Sequence, residues 1–158
     1  MNFFVSGTPK PQGRPRAFIR GGFSKVYSPM TEWKEKVQYH SEKQRGESHF
    51  FHNEALEVEL KYYFKHPKNH YRTGKNAGLL KDWAKDERVT KRPDLDNLNK
   101  AILDAMQTAK LINDDSYIVK LTSSKQYSTE REGVWIIIKS LDSDLFKQEQ
   151  QKGGSSTK

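Results

Sequence analysis

Five aspartates fall within one short stretch of a chain that is otherwise strongly basic. They are Asp94, Asp96, Asp104, Asp114 and Asp115. Carboxylate oxygens are the ligands that hard cations such as Mg²⁺ and Mn²⁺ prefer. Lys100 stands four residues after Asp96 and would add a positive charge beside such a cation. The stretch therefore predicts a divalent-metal centre suited to phosphodiester chemistry, in which a metal activates water and a lysine stabilises negative charge.

A purely structural interpretation of the same residues is also open. Asp96, Lys100 and Asp104 are each four apart, so on a helix they would form exposed ion pairs worth a few tenths of a kcal/mol. Aspartates also suit helix starts and turns. Against this, a second carboxylate two residues before Asp96 adds repulsion unless a cation neutralises both. The strand that follows Asp115 could also return that residue to the start of the helix.

Alternation and helical periodicity predict the elements that would position these residues. We predict strands over 2–6, 55–64 and 134–140, a hairpin over 17–28 turning at Gly21–Gly22, helices over 33–44 (capped by Thr31) and 95–109, and a second hairpin that pairs 117–127 with 134–140. This order indicates an α+β (mixed α/β) fold, a single domain with a mixed sheet and two or three helices. The domain is predicted to span 1–142, and the polar tail 143–158 to be disordered.

Composition narrows the classes of protein to which the chain could belong. The net charge is +8 and the pI is about 9.5, which favours polyanionic partners such as nucleic acid. The chain has no cysteine, which excludes disulfides and fits a cytoplasmic protein. The N-terminal apolar run is too short for a signal peptide, and no run approaches the roughly 20 residues that span a bilayer.

Basic residues cluster in the proline-stiffened segment KPQGRPR and in the hairpin that follows it. We predict DNA contacts at Lys10, Arg14, Arg16, Arg20 and Lys125. The alternative is a solvated basic face, and phosphate contact is favoured because it supplies much of the affinity for nucleic acid. The polar segment 65–92 is long for a loop in a small domain, so it is either functional or disordered. The chain's histidines His49, His52, His66 and His70 show no spacing typical of a zinc site.

Two segments, RPDLDNLNKAILDAM and NDDSYIVKL, together resemble the RusA-type Holliday-junction resolvases, which occur mostly in phages and prophages. The family pattern is Asp-x-Asp-Asn-Leu-x-x-Lys at a helix start, an Asp four residues after the Lys, and an Asp-Asp pair before a strand. Here it falls on Asp94, Asp96, Asn97, Leu98, Lys100 and Asp104, and then on Asp114 and Asp115. The likeness is continuous over about residues 92–125, and GTPKPQGRPR resembles the basic loop after the family's first strand.

The resemblance implies a homodimeric, Mg²⁺-dependent endonuclease, with Mn²⁺ as a possible substitute, that nicks two opposing strands of a four-way DNA junction. By this likeness Asp94, Asp96 and Asp115 hold the metal and Lys100 assists catalysis. Asp114 is a weaker metal candidate, and Asp104 would support the ligands. No membrane and no small-molecule cofactor are implied. The alternative from another class is a non-catalytic DNA- or RNA-binding module, whose aspartates only order the helix.

Overall fold

The alternating segment that begins at Leu56 forms the centre of the main sheet. In the computed structural model, which describes residues 1–27, 31–47 and 50–142, its even-numbered side chains are buried and its odd-numbered ones are not. The elements are β1 (Asn2–Ser6), β2 (Arg16–Arg20), β3 (Phe23–Tyr27), α1 (Glu32–Arg45), β4 (Leu56–Lys65), α2 (Leu95–Thr108), β5 (Ile118–Ser128) and β6 (Gly133–Ser140). They confirm a single α+β domain with a mixed sheet and two α-helices. The predicted tail 143–158 lies outside the described residues.

The main sheet has the order β1-β6-β4-β5. The β1–β6 and β6–β4 pairs are antiparallel, whereas β4 and β5 are parallel. A parallel pair needs a long crossover, and the segment from His66 through α2 supplies it. β2 and β3 form a separate two-stranded sheet, with Arg20 opposite Phe23 across the Gly21–Gly22 turn as predicted.

The predicted hairpin between the strands after Asp115 is wrong. β5 pairs with β4, and β6 lies between β1 and β4. The run Val134–Ile138 suits a central strand because it is apolar throughout. Its even-numbered residues are fully buried, but Trp135 and Ile137 are only partly buried, so one face of β6 is covered rather than two. The polar sequence of β5 suits an edge.

Both helices pack on one face of this sheet. α1 begins at the predicted cap, where the Thr31 hydroxyl accepts a hydrogen bond from the Lys34 amide at 3.3 Å. It buries Trp33 and Val37. α2 buries a stripe at steps of three and four: Leu98, Ala101, Ile102, Ala105 and Met106. This packing fixes the start of α2 against the sheet, where the first two aspartates lie.

Candidate active site

The N-terminal end of α2 presents two carboxylates that the helix itself does not use. Asp94 is the N-cap residue, yet its side chain makes no capping hydrogen bond; only its carbonyl does, accepting from the Leu98 amide at 3.1 Å. Asp96 lies in the first turn, and both side chains are exposed. The capping explanation of these aspartates is therefore not supported, and their oxygens remain available to a ligand.

Lys125 on β5 holds the backbone that leads into this end of the helix. Its ammonium donates to the carbonyls of Lys91 and Pro93, each at 2.7 Å. Charge-assisted bonds of this length are strong, and an ammonium has three donors, so two of three are used here. The sequence predicted Lys125 as a DNA contact. The structure gives it a supporting position immediately before Asp94.

The basic loop forms the opposite wall. A cavity of about 650 Å³ lies between the segment 11–15 and the start of α2, where it is lined by Asp94, Asn97 and Lys100. The Gln12 amide donates to the Asn97 carbonyl at 3.0 Å, which ties the loop to the helix. Arg14 lines the same cavity and is exposed. The structure thus brings together one predicted metal ligand, the predicted catalytic lysine and one predicted DNA contact.

The other predicted DNA contacts in the N-terminal part of the chain, Lys10, Arg16 and Arg20, do not line this cavity. Lys10 borders a smaller cavity against the start of α1. Arg16 and Arg20 are the two ends of β2 and are exposed. They are available to a polyanion, and their role stays a prediction.

Lys100 is not part of an ion-pair ladder. Among the described residues no ion pair within 4.0 Å involves it. Asp104 instead pairs with Lys34 of α1 at 3.4 Å, and the same lysine contacts the Gln12 side chain at 3.4 Å. The i,i+4 ladder that would have explained these residues structurally is therefore not formed, and Lys100 faces the cavity with its charge unpaired.

The Asp114–Asp115 pair lies at the other end of α2. One Asp114 oxygen accepts from the Ser116 amide at 2.9 Å, and hydrogen bonds from Ser116 hold the pKa of Asp114 below its usual range. Asp115 is exposed and begins the short 3₁₀ turn that leads into β5. Asp114 is thus engaged in turn chemistry, whereas Asp115 is available.

α2 runs antiparallel to β5, which decides the distance between the two acidic groups. Lys125 contacts Pro93, whereas Ser123 accepts from Asn99 at 2.9 Å, so moving forward along α2 moves backward along β5. Asp115 precedes Ser123 by eight residues, which is roughly 20 Å of chain. Within one chain the strand does not return Asp115 to Asp94. Among residues 1–27, 31–47 and 50–142, no three His, Asp or Glu side chains are grouped closely enough to hold a metal ion.

Two sets of residues were missed at the sequence level. The first is a partly buried relay in which the Tyr62 hydroxyl donates to Asn99 at 3.0 Å and Asn99 donates to Ser123. Burial raises the pKa of Tyr62. The signal was a polar residue, Asn99, next to the apolar stripe of α2. The relay joins α2 to β4 and β5 and so fixes the register of the helix over the sheet.

The second missed set lies in the segment between β4 and α2. His66 and His70 are both buried, with their Nδ1 atoms 3.0 Å apart, and Tyr127 of β5 packs against both rings. The segment is ordered by three 3₁₀ turns and by bridges from Tyr71 to Leu80 and from Arg88 to Gln126. Sequence spacing tested these histidines only as zinc ligands and overlooked their ring contacts.

Comparison with known proteins identifies the family of this chain. The family model described as "Endodeoxyribonuclease RusA" matches residues 6–139. The chain belongs to the RusA endodeoxyribonuclease family. The resemblance seen in the aspartate pattern is thereby confirmed, and membership of the RusA family assigns the chain to the DNA endonucleases. The matched residues include both acidic groups, the basic loop and Lys100.

The chain is also similar to a bacterial protein whose name states no function. The chain is 32% identical over 137 residues to the "Uncharacterized protein YqaN" of Bacillus subtilis (strain 168), covering 82% of this chain and 89% of the relative. In the part of the chain that the structure describes, neither helix has the length and apolar character needed to cross a bilayer.

Proposed function

We propose that this chain is a divalent-metal-dependent, structure-selective endonuclease that resolves four-way DNA junctions by paired nicks in opposing strands. One observation carries the proposal: an open cavity at the start of α2 in which an uncapped carboxylate, Asp94, and an unpaired lysine, Lys100, face a basic loop. The substrate would place the enzyme with DNA in the bacterial cytoplasm. An origin in a phage or prophage stays a prediction.

The donor set at this end of the helix fits a hard cation. Asp94 and Asp96 offer exposed carboxylate oxygens, the ligand type that Mg²⁺ and Mn²⁺ prefer over nitrogen or sulfur. Such a cation would supply activated water and charge stabilisation at a phosphodiester. Lys100 would place its ammonium where negative charge develops on the phosphate. The Gln12–Asn97 bond and the Lys125 bonds keep both walls of the cavity in place.

Asp115 completes this donor set only if it comes from a second copy of the chain. β5 is the edge of the main sheet, and the segment that precedes α2 covers that edge only at Gln126 and Tyr127. Elsewhere along this edge β5 has no backbone partner among the described residues. It carries two exposed apolar side chains, since Val119 is 64% and Leu121 is 41% exposed. An open edge of this kind invites pairing with another strand.

Antiparallel pairing of two β5 strands about Lys120 satisfies these features together. It sets Val119 opposite the partner's Leu121, which buries both apolar side chains across the pair. The same register sets Lys125 opposite the partner's Asp115. Because Lys125 holds the backbone before Asp94, the partner's Asp115 would approach the carboxylates that its own chain keeps at a distance. A twofold dimer then has two equivalent sites, as two symmetric nicks require.

DNA contact would come from the loop and hairpin around the cavity. Lys10, Arg14, Arg16 and Arg20 are exposed, and the chain's net charge of +8 favours the phosphate backbone. Lys125 is assigned differently: with two carbonyl partners it acts as a positioning residue for Asp94 rather than as a phosphate contact.

The test is incubation of the intact protein with an end-labelled four-way junction, with and without Mg²⁺, scored for symmetric nicks. Wild type should cut only with the metal. Asp94→Asn should not cut, yet it should bind the junction in Ca²⁺ as well as wild type or more tightly, since a negative charge facing phosphate has been removed. A wild-type protein that binds the junction and cuts nothing would favour the non-catalytic binding module.

A further inference from the structure

A second cavity, of about 200 Å³, lies beside the candidate active site. Its lining includes His70, Trp83, Ala84, Arg88, Lys91 and Tyr127. Drug-sized ligands occupy cavities of about 300–1,000 Å³, so this one suits a smaller, single-ring or double-ring group. None of these residues takes part in the proposed metal chemistry.

Three aromatic rings, those of His70, Trp83 and Tyr127, line this cavity. His70 and Tyr127 lie with ring centroids 4.9 Å apart, and His70 meets Trp83 edge to face at 4.9 Å. His66 stacks on Tyr127 at 4.9 Å with 26° between the planes. The two histidines are buried, whereas Trp83 is 60% exposed. In this cluster the two histidine rings are therefore shielded from solvent, whereas the Trp83 indole is accessible to a ligand.

Trp83 is held before any ligand arrives. Its neighbour Asp82 pairs with Arg72 at 3.2 Å and with Lys85 at 3.1 Å, and its other neighbour, Ala84, is buried. The Lys81 ammonium lies 5.8 Å from the indole centroid. The backbone that carries the indole is therefore ordered before binding, which lowers the conformational cost of binding.

The charge around the cavity selects an anionic partner. Residues 65–92 contain nine Lys or Arg against three Asp or Glu, a net charge of +6 in a chain of +8. One acidic residue, Asp86, is itself part of the lining, and Arg88 pairs with it there through two nitrogens at 2.6–3.1 Å. These bonds lower the pKa of Asp86 to about 2, so its charge is matched by a guanidinium. An aromatic platform among cations is the arrangement that binds single-stranded nucleic acid.

The cavity is also mechanically joined to the candidate active site. Lys91 is on its rim, and the Lys125 ammonium holds the carbonyls of both Lys91 and Pro93. Tyr127 follows Lys125 by two residues on the same face of β5, a separation of about 7 Å. Tyr127, one of the lining residues, is therefore linked through Lys125 to the backbone that immediately precedes Asp94.

We propose that this cavity binds one unpaired base of the DNA strand being cut, stacked on Trp83 beside the scissile phosphate. The proposal rests on the function proposed above and adds a base subsite to it. Stacking on an indole accepts any base, because every base has a π-face. The subsite would select strands whose bases are free to leave the stack, as at the branch point of a junction.

The test is an abasic scan of the junction across the nucleotides beside the branch point, with binding measured in Ca²⁺ so that nothing is cut. For wild type, removing the base at one position should weaken binding about 5- to 150-fold, the usual worth of one stacked base. For Trp83→Ala the same lesion should make no difference, and Trp83→Phe should recover part of the effect. Trp135→Phe is the matched control, because Trp135 lies on the opposite face of the sheet and should leave the scan unchanged. A wild type with no sensitive position, or a Trp83→Ala variant that keeps one, would overturn the subsite.

A second measurement separates this proposal from the proposed function. A single-stranded oligonucleotide should quench the tryptophan fluorescence of wild type, whereas an abasic strand of equal length should not. Trp83→Phe should lose the quenching and Trp135→Phe should keep it. Base-dependent quenching by a protein that cuts no junction would support the base subsite and contradict the proposed junction-resolving function. Junction cutting without base-dependent quenching would support the resolvase and remove the subsite.

Discussion

The two ends of α2 carry acidic residues in opposite circumstances. At the N-terminal end, Asp94 is uncapped, its backbone is pinned by Lys125, and a basic loop closes the far side of a cavity. At the other end, Asp114 is used by its own turn and Asp115 stands exposed before an open sheet edge. The N-terminal end of α2 has the features of a site but lacks a third available carboxylate. The other end has an available carboxylate, Asp115, but no such site beside it. This difference is the basis of the proposal that the two ends meet between two copies of the chain.

The largest expected effect tests whether the two ends act in trans. Asp94→Asn and Asp115→Asn should each abolish cutting as pure proteins. When the two variants are refolded together, heterodimers should form in which one site combines an intact Asp94 with an intact Asp115. About a quarter of wild-type nicking should return, on one strand only, because half the dimers have one of two sites. Single-turnover nicking of a labelled junction measures this.

The matched control is a mixture of Asp94→Asn with Asp96→Asn. Both lesions lie at the same end of the helix, so every heterodimer site stays broken and no activity should return. Restored cutting in that mixture, or none in the first, would refute a site shared between chains. Light scattering that shows a monomer at micromolar concentration would do the same.

Substitution of Lys100 tests whether the N-terminal end of α2 takes part in catalysis or only carries surface charge. Lys100→Ala should lower the single-turnover cutting rate about 100- to 1,000-fold while leaving junction affinity in Ca²⁺ nearly unchanged, since its charge is used in the transition state. Lys100→Arg should recover only part, because a planar guanidinium does not place its charge where an ammonium does. Lys43→Ala on α1 is the control for removal of an exposed lysine. Equal rates for Lys100→Ala and wild type would leave the carboxylates to act without it.

Local patterns predicted much of the fold, because the forces that set them act within a few residues. The alternation of β4, the 3.6-residue period of α2 and the Thr31 cap are all of this kind. The pairing of β5 was mistaken because it depends on which distant strand is free. A hairpin to β6 is the closer choice in sequence, but the apolar β6 is better buried between β1 and β4.

The candidate site divides in the same way. The Asp94–Lys100 half was visible as residue types at helical spacing on one element. Lys125 acts on carbonyls more than 30 residues away in sequence, and no spacing rule links them. The position of Asp115 depends on which strand β5 pairs with, and the mistaken hairpin had placed β5 beside β6 instead of beside β4. Sequence therefore pointed to candidate residues, but it did not predict how the fold places them relative to one another.

Substitutions in the basic loop test whether the loop, which lies across the cavity from the start of α2, contacts DNA. Arg14→Ala with Arg16→Ala should weaken junction binding and flatten its dependence on salt by roughly one to two units of log–log slope, about 0.9 for each phosphate that an arginine no longer neutralises. Lys61→Ala with Lys139→Ala removes the same charge from the opposite face of the sheet and should leave the slope as it is. Titrations at several salt concentrations measure both. An unchanged slope for the arginine pair would place the loop away from the DNA.

The smallest expected effect is a pH dependence of stability that comes from His66 and His70, in the segment that leads into α2. Burial is the main cause that lowers the pKa of both His66 and His70; Glu87 opposes it at His66, and His66, Lys91 and Lys81 add to it at His70. The folded state therefore favours the neutral rings, and the unfolded state takes up protons first as the pH falls. The stabilisation is full above the ordinary histidine pKa of 6.5 and is lost as the pH falls from there towards the folded-state pKa values.

The free energy of unfolding of wild type, from denaturant titrations between about pH 8 and pH 5, should decline below pH 6.5. His70→Gln should reduce the decline, and His52→Gln, an exposed control, should leave it unchanged. A decline of equal steepness in wild type and His70→Gln would mean that the buried pair does not couple the segment to pH.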